Sequence, residues 1–259
     1  MTLHSVVLST ALMLTTSLPA IAGPVCDAHS GPNTAALIEL YTSEGCSSCP
    51  PADRQLSQLE KSLYPSAAFV PLALHVGYWN SLGWEDRFAQ DRFAQRQKEL
   101  VQNGHQSTVY TPQFFVAGSE FRAWNGTLRD TVQSLNTKPA TAQINLQTTR
   151  SADNVLKLEA MATTHAGDDA TALYLAIAEN GLVSKVSGGE NQGVTLNHDH
   201  VVRGWLGPFR LHDGVAHVQR EVKVPAAWNR DRLEMIAFVQ DEHTGSVLQA
   251  LRAPACPGT

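Results

Sequence analysis

Gly45-Cys46-Ser47-Ser48-Cys49-Pro50-Pro51 sets the organisation of this chain, because it places two thiols three residues apart between two different patterns. The apolar run 35–42 comes before it and is typical of a buried strand. Leucines at helical spacing follow it, at positions 56, 59 and 63. A helix N-terminus favours negative charge and therefore makes a cysteine nucleophilic near neutral pH. The pattern predicts thiol-disulfide chemistry at Cys46 and Cys49.

The charge of the chain argues against nucleic-acid binding. The 259 residues carry a formal net charge of −5, and no run of Lys or Arg occurs. A nucleic-acid binder normally shows a clustered basic face, so we expect no nucleic-acid partner. The length is sufficient for two domains that each bury a core.

Residues 1–22 have the features of a secretory signal peptide. They contain no Asp, Glu, Lys or Arg, include the apolar stretch 6–14, and end in Ala20-Ile21-Ala22. The usual basic N-terminal region is missing, which leaves an uncleaved anchor or another leader as the alternative. No later segment reaches the roughly 18 apolar residues of a membrane helix. We therefore expect a periplasmic or secreted protein with no membrane span in the mature chain.

Export would place the four cysteines in an oxidising compartment, where an even number indicates disulfides. Three pairings are possible. Cys46 with Cys49 is the local one, and it leaves Cys26 and Cys256 to form a structural disulfide between the two ends of the mature chain. Such a bridge would restrict the unfolded chain.

The elements after the cysteine pair continue an α/β pattern. A second apolar run occupies 67–76, a helical pattern occupies 84–101, and Thr111-Pro112 opens a further strand. This order resembles the thioredoxin fold, in which the proline that opens this strand is cis and faces the Cys-x-x-Cys. The resemblance implies that Pro112 is cis and that Thr111 offers backbone hydrogen bonds to a substrate.

The whole chain also resembles an uncharacterised family of secreted, mostly bacterial, thioredoxin-like proteins, the domain of unknown function 1223. Five motifs carry this resemblance, at 45–53, 75–79, 82–84, 110–113 and 195–203. Gly77 and Asn80 depart from the second motif, since Asp is expected at both positions. Membership implies a fold but no established substrate.

From about residue 141 the hydrophobic periodicity changes to two, and turn signals such as Gly188-Gly189 separate the runs. Roughly seven short strands in about 120 residues indicate an antiparallel β-sandwich. The predicted organisation is a signal peptide at 1–22, a thioredoxin-like α/β domain at 23–137 and an all-β sandwich domain at 140–259.

His198 and His200 would share one face of a strand, which suits copper or zinc ligation if a third ligand approaches. The favoured interpretation is that both histidines lie at a strand end and are hydrogen-bonded to neighbouring loops or to the other domain. We therefore predict no metal and no cofactor, and keep His198 and His200 only as candidate ligands.

The leading functional hypothesis is a thiol-disulfide oxidoreductase acting on protein thiols or disulfides, with an unidentified redox partner protein. Cys46, the more exposed cysteine, would form a mixed disulfide with the client, and Cys49 would resolve it. The direction of transfer is open. Candidate substrate-binding residues are Thr111, Pro112, Tyr110, His75 and Trp79, and Asp53 is expected to be a solvated acid in the first helical turn. The alternative is a non-catalytic binding protein, with the two cysteines structural or ligating copper.

Overall fold

The structure is a computed structural model that describes residues 25–124, 126–151, 153–165, 170–254 and 256. The predicted signal peptide lies outside these residues. Within them, no helix is both long and apolar enough to cross a membrane.

The first half of the chain alternates strands and helices. Its strands are β1 (Val25–His29), β2 (Ala36–Thr42), β3 (Phe69–His75), β4 (Gln113–Val116) and β5 (Ser119–Glu120). Its helices are α1 (Pro50–Ser57), α2 (Leu59–Ser62), α3 (Asp91–Asn103) and α4 (Leu128–Asn136), with a 3-10 helix at Gly77–Leu82.

The second half is built from strands. They are β6 (Ala142–Arg150), β7 (Val155–Thr164), β8 (Thr171–Glu179), β9 (Leu182–Lys185), β10 (Thr195–His198), β11 (Val201–Arg210), β12 (Val215–Lys223), β13 (Leu233–Asp241) and β14 (Val247–Pro254). A 3-10 helix occupies Arg230–Arg232.

Three sheets organise these strands, and the largest one joins both halves of the chain. It has eight strands in the order β14-β13-β8-β11-β3-β2-β4-β5. β3 is the junction, since it pairs in parallel with β2 and, at Ala73 and Val201, with β11. The other sheets are β1-β6-β7-β12, which packs on the large sheet, and the hairpin β9-β10. The protein is therefore mostly β-structure, and one sheet crosses the predicted domain junction.

Strand β2 lies at the centre of the first half because both of its faces are covered. Leu37 and Tyr41 face the core that includes α3, whereas Ile38 and Leu40 face the core of α1 and α4. A continuous apolar run is typical of a strand buried on both faces. This burial fixes the segment that follows, which carries the cysteine pair.

Two helices, α1 and α3, have starts that local chemistry decides. Pro50 and Pro51 both fit in α1 because they occupy its first turn, where no intrahelical partner is needed for their missing N–H groups. The predicted helix at 84–101 begins only at Asp91. The carboxylate of Asp86 accepts the backbone N–H of Phe88, and this local bond competes with helix formation.

Candidate functional site

The described chain contains a disulfide between Cys46 and Cys49, whose Cα atoms lie 5.4 Å apart. Cys49 is the N-cap of α1, and its carbonyl accepts the backbone N–H groups of Ala52 and Asp53. Both cysteines are fully buried, although Ser47 and Ser48 between them are exposed. The expectation that Cys46 is the more exposed cysteine is therefore wrong for the disulfide form. A second disulfide joins Cys26 and Cys256, with Cα atoms 5.6 Å apart.

Thr111 lies directly beside the cysteine pair. Its carbonyl oxygen is 3.8 Å from Sγ of Cys46, and the Thr111-Pro112 bond is cis, as the resemblance implied. Trp79 fixes the Thr111 side chain by donating its indole N–H to Oγ1 at 2.8 Å. The structure thus brings Thr111 and Trp79 to the disulfide.

Tyr110 is anchored to β5 and α3. Its hydroxyl donates to Glu120 at 2.7 Å, and its carbonyl accepts from the side chain of Gln97 on α3 at 2.8 Å. Burial, followed by the hydrogen bond to Glu120, raises the pKa of Tyr110 to about 12. The phenol therefore stays neutral and helps to hold the loop before Pro112.

His75 lies inside the protein, at the end of β3. Its side chain is fully buried, and Nδ1 lies 2.6 Å from Oδ2 of Asp86. Burial opposes the charged imidazole, but the Asp86 carboxylate outweighs it and raises the pKa of His75. Burial likewise acts against the Asp86 carboxylate, yet His75 and two backbone N–H groups lower its pKa. The two groups form a buried ion pair, which leaves no exposed surface of His75 for a substrate.

Asp53 is buried, so the expectation of a solvated first-turn acid is wrong. Its face of α1 packs on β10, where Nδ1 of His198 lies 3.9 Å from its Oδ2. Burial raises the pKa of Asp53, and the nearby His198 and His75 offset this only in part. Helical periodicity placed Asp53 in the first turn but carried no information about the strand from the second half that covers it.

Glu44 completes this buried group. Its Oε2 accepts the indole N–H of Trp84 at 2.8 Å, and its Oε1 lies 3.3 Å from Nε2 of His198 without alignment for a hydrogen bond. Burial would raise the pKa of Glu44, but the nearby His198 and the donors that hydrogen-bond to the Glu44 carboxylate hold this pKa below its ordinary value. Acidic and imidazole groups from both halves of the chain therefore meet next to the cysteine segment.

His198 and His200 do not form a pair. His198 contacts Glu44 and Asp53, whereas Nδ1 of His200 lies 2.9 Å from Glu234. β10 ends at His198, and His200 follows in the turn before β11 with a φ of 58°, so the two side chains do not share one strand face. In the part of the chain that the structure describes, no three His, Cys, Asp or Glu side chains are arranged to hold a metal ion.

The turn between β9 and β10, residues 187–193, packs on the cysteine segment, a contact that the sequence patterns did not predict. Asn191 donates its amide to the carbonyls of Glu44 and Cys46, at 2.8 and 3.0 Å. Glu190 accepts the backbone N–H of Ser47 at 2.9 Å and its hydroxyl at 2.7 Å. We call this turn the cover. Its glycines signalled a turn, but nothing in the sequence indicated where the turn docks.

The family model described as protein of unknown function (DUF1223) matches residues 37–240. The chain belongs to this family. This confirms the resemblance that the cysteine, tryptophan and proline motifs suggested. No curated protein matches the chain.

Two solved structures share the fold. One is a protein of Agrobacterium tumefaciens from a structural genomics consortium, with 20% identity and a TM-score of 0.63 over 88% of this chain and 97% of that chain. The other is HBP35 of Porphyromonas gingivalis, with 17% identity and a TM-score of 0.67 over 87% of this chain and 76% of that chain. At these identities the likeness concerns the fold.

Proposed function

We propose that this protein is an exported thiol-disulfide oxidoreductase that acts on protein clients through Cys46 and Cys49. The observation that carries the proposal is the Cys46–Cys49 disulfide at the N-terminus of α1, with Sγ of Cys46 3.8 Å from the carbonyl of Thr111. In this proposal residues 23–137 are a thioredoxin-like domain, residues 140–259 are a β-sandwich that helps to recognise the client, and the location is periplasmic or secreted.

The reaction is an exchange of two electrons between two pairs of sulfur atoms. A client thiolate attacks Sγ of Cys46, the Cys46–Cys49 bond breaks, and Cys49 leaves as a thiolate that takes up a proton. A second client thiolate then attacks the client sulfur of the mixed disulfide and releases Cys46. The client ends as a disulfide and the protein as a dithiol. The same steps in reverse reduce a client disulfide.

The residues around the disulfide have distinct roles in this scheme. The N-terminus of α1 favours the thiolate forms that appear during exchange. Ser48 lies with its hydroxyl 3.3 Å from Sγ of Cys46 and can donate to a thiolate there. The backbone of Thr111, held by Trp79, offers polar groups to an extended client segment. Each of these groups is part of the protein, so no cofactor is required.

Trapping of clients tests the proposal. A Cys49→Ser variant retains Cys46 but cannot resolve a mixed disulfide, so we expect covalent client adducts on non-reducing gels from the producing cells. The matched control is Cys46→Ser, in which only Cys49 of this pair remains and adducts should be absent. Equal and negligible adducts in both variants would contradict the proposal.

The complete burial of Cys46 and Cys49 favours a second candidate function. In it the protein is a binding protein of the same fold, and the disulfide is structural. The two functions differ in reduction potential, because structural disulfides have potentials below about −300 mV and catalytic ones lie above that value.

A further inference from the structure

We propose that the cover, residues 187–193, is a gate that must leave the cysteine segment before Cys46 can react. This inference rests on the proposed function for its purpose, but its test does not involve a client. The cover comes from the second half of the chain and follows Cys46 by more than 140 residues in the sequence. It can therefore separate from the site without unfolding α1.

The first support is the position of the bonds that hold the cover. All four side-chain bonds from Glu190 and Asn191 end on residues 44–47, the segment that carries Cys46. Asn191 is only 5% exposed, so it fills a recess in that segment rather than resting on its surface. The turn therefore packs directly on the backbone that carries Cys46, whose side chain is fully buried.

The second support is the close contact between the cover and the loop at Gly83. The Gly83 loop, directly after the first 3-10 helix, contacts Gly188 and Gly189 so closely that a Cβ at residue 188 would overlap the carbonyl of Gly83. Gly189 also has a φ of +69°, a conformation that favours glycine. The close fit depends on the missing side chain at residue 188.

The third support is charge. Glu190 is exposed and its pKa is lowered by its hydrogen bonds from Ser47, so it is a carboxylate at neutral pH. Its carboxylate accepts the backbone N–H of Ser47, the residue after Cys46. This N–H lies near the N-terminus of α1, which would otherwise stabilise a Cys46 thiolate. Like charges repel, so a Cys46 thiolate and a seated Glu190 disfavour each other. Reduction of the disulfide therefore favours release of the cover.

Reduction of the full chain by dithiothreitol tests the gate. One dithiothreitol thiolate attacks the Cys46–Cys49 disulfide, its second thiol closes a ring, and two electrons pass to the protein. Alkylation at timed intervals followed by peptide mass spectrometry gives the rate separately for Cys46–Cys49 and for Cys26–Cys256. The second disulfide is the internal control.

Two variants loosen the cover by different means. Asn191→Ala removes two hydrogen bonds, and Gly188→Ala disrupts the contact with Gly83. We expect each to speed reduction of Cys46–Cys49 at least about tenfold. In Asn191→Ala the loss of two hydrogen bonds increases the open population by about that order. In Gly188→Ala the added Cβ would lie 2.3 Å from the carbonyl oxygen of Gly83, so the seated position is no longer accessible without a shift. Gln192→Ala alters an exposed residue of the same turn and should leave the rate unchanged.

Rates within twofold of the wild type in both loosened variants would overturn the gate. Equal acceleration of Cys26–Cys256 would also overturn it, since that result indicates general loosening. If either variant fails to fold, Glu190→Ala removes an exposed side chain and its bonds to Ser47, and about fivefold faster reduction is then expected. Faster dithiothreitol reduction of the loosened variants, together with no client trapped by Cys49→Ser in cells, would support the gate and contradict the oxidoreductase.

Discussion

At the scale of single residues, the buried ion pair of His75 and Asp86 makes stability depend on pH. The pKa of His75 is raised, so its contribution is complete below the unfolded histidine value of about 6.5 and is lost as the pH rises through the folded value. The pKa of Asp86 is lowered, so its contribution is present above about pH 4 and is lost as the pH falls through the folded value. The pair therefore stabilises the fold most between about pH 4 and 6.5.

The variant His75→Gln should lower the free energy of unfolding by about 3 kcal/mol at pH 5.5, because it leaves Asp86 as a buried charge without its cationic partner. The loss should be smaller at pH 8.5. Urea denaturation at the two pH values measures both. His217→Gln is the matched control, since His217 pairs with Glu159 on the surface, where solvent screens the pair, and its loss should change the free energy of unfolding far less. A loss that grows with pH would contradict the assignment.

Asp53 has the opposite effect on stability at neutral pH. Because burial raises its pKa, the folded state holds the proton more tightly than the unfolded state, and ionisation above that value destabilises the fold. Asp53→Asn should therefore raise Tm at pH 7 and leave it unchanged near pH 3. The exposed first-turn acid Asp130 is the control, since Asp130→Asn should lower Tm slightly. A lower Tm for Asp53→Asn at pH 7 would contradict this account.

Individual residues were predictable from the sequence where the signal was local. The two cysteines and the Thr111-Pro112 bond belong to short motifs that lie within the residues matched by the family model. The burial of Asp53 and the docking of Glu190 and Asn191 were not predictable, because each depends on a contact with the other half of the chain. Such contacts leave no periodicity in the sequence.

At the scale of elements, helix α3 is tied to the large sheet by a buried charge. Arg96 makes two bonds to the carboxylate of Glu39 on β2, at 2.7 and 3.1 Å, and a third to Gln240 on β13. Its guanidinium also lies over the rings of Tyr174 and Trp205, 5.5 and 5.0 Å from their centroids. One side chain thus connects the helix to strands of both halves.

Arg96→Met should destabilise the fold by about 3–5 kcal/mol, because it leaves Glu39 buried and unpaired. The double variant Arg96→Met with Glu39→Gln should lose less than the sum of the single changes. Denaturation of all three variants gives the coupling. Arg122→Met removes an exposed partner of Glu120 and should cost far less than Arg96→Met, because solvent screens the exposed pair. Additive losses at Arg96 and Glu39 would contradict a coupled pair.

The sequence predicted the strands correctly where the pattern of apolar residues was clear. The largely apolar run of β2, which Glu39 interrupts, and the alternation of β6 appear as predicted. The start of α3 shifted from residue 84 to Asp91, because the side chain of Asp86 binds the local backbone. Hydrophobic spacing does not register a competing bond of this kind.

At the scale of the whole molecule, the Cys26–Cys256 disulfide joins distant parts of the chain. β1 pairs with β6, and the bridge connects β1 to the segment after β14. The eight-stranded sheet also runs through both halves, with β3 and β11 side by side. The sequence predicted the two types of structure but could not show that they share a sheet, because strand pairing between distant segments has no local signal.

Replacement of Cys26 and Cys256 by Ser should lower the free energy of unfolding by about 2–5 kcal/mol, because the bridge closes a long loop in the unfolded chain. Replacement of Cys46 and Cys49 should cost less, since their loop is short. Denaturant titrations of the two double variants measure the difference. A larger loss for the Cys46 and Cys49 variant would show that this pair is mainly structural.

The reduction potential of Cys46–Cys49 tests the central claim most directly. Equilibration of the full chain with glutathione or dithiothreitol buffers, followed by alkylation and mass spectrometry, gives the potential of this pair separately from Cys26–Cys256. A redox-active pair predicts a value above about −300 mV. A value below that limit would contradict the oxidoreductase and assign the pair a structural role.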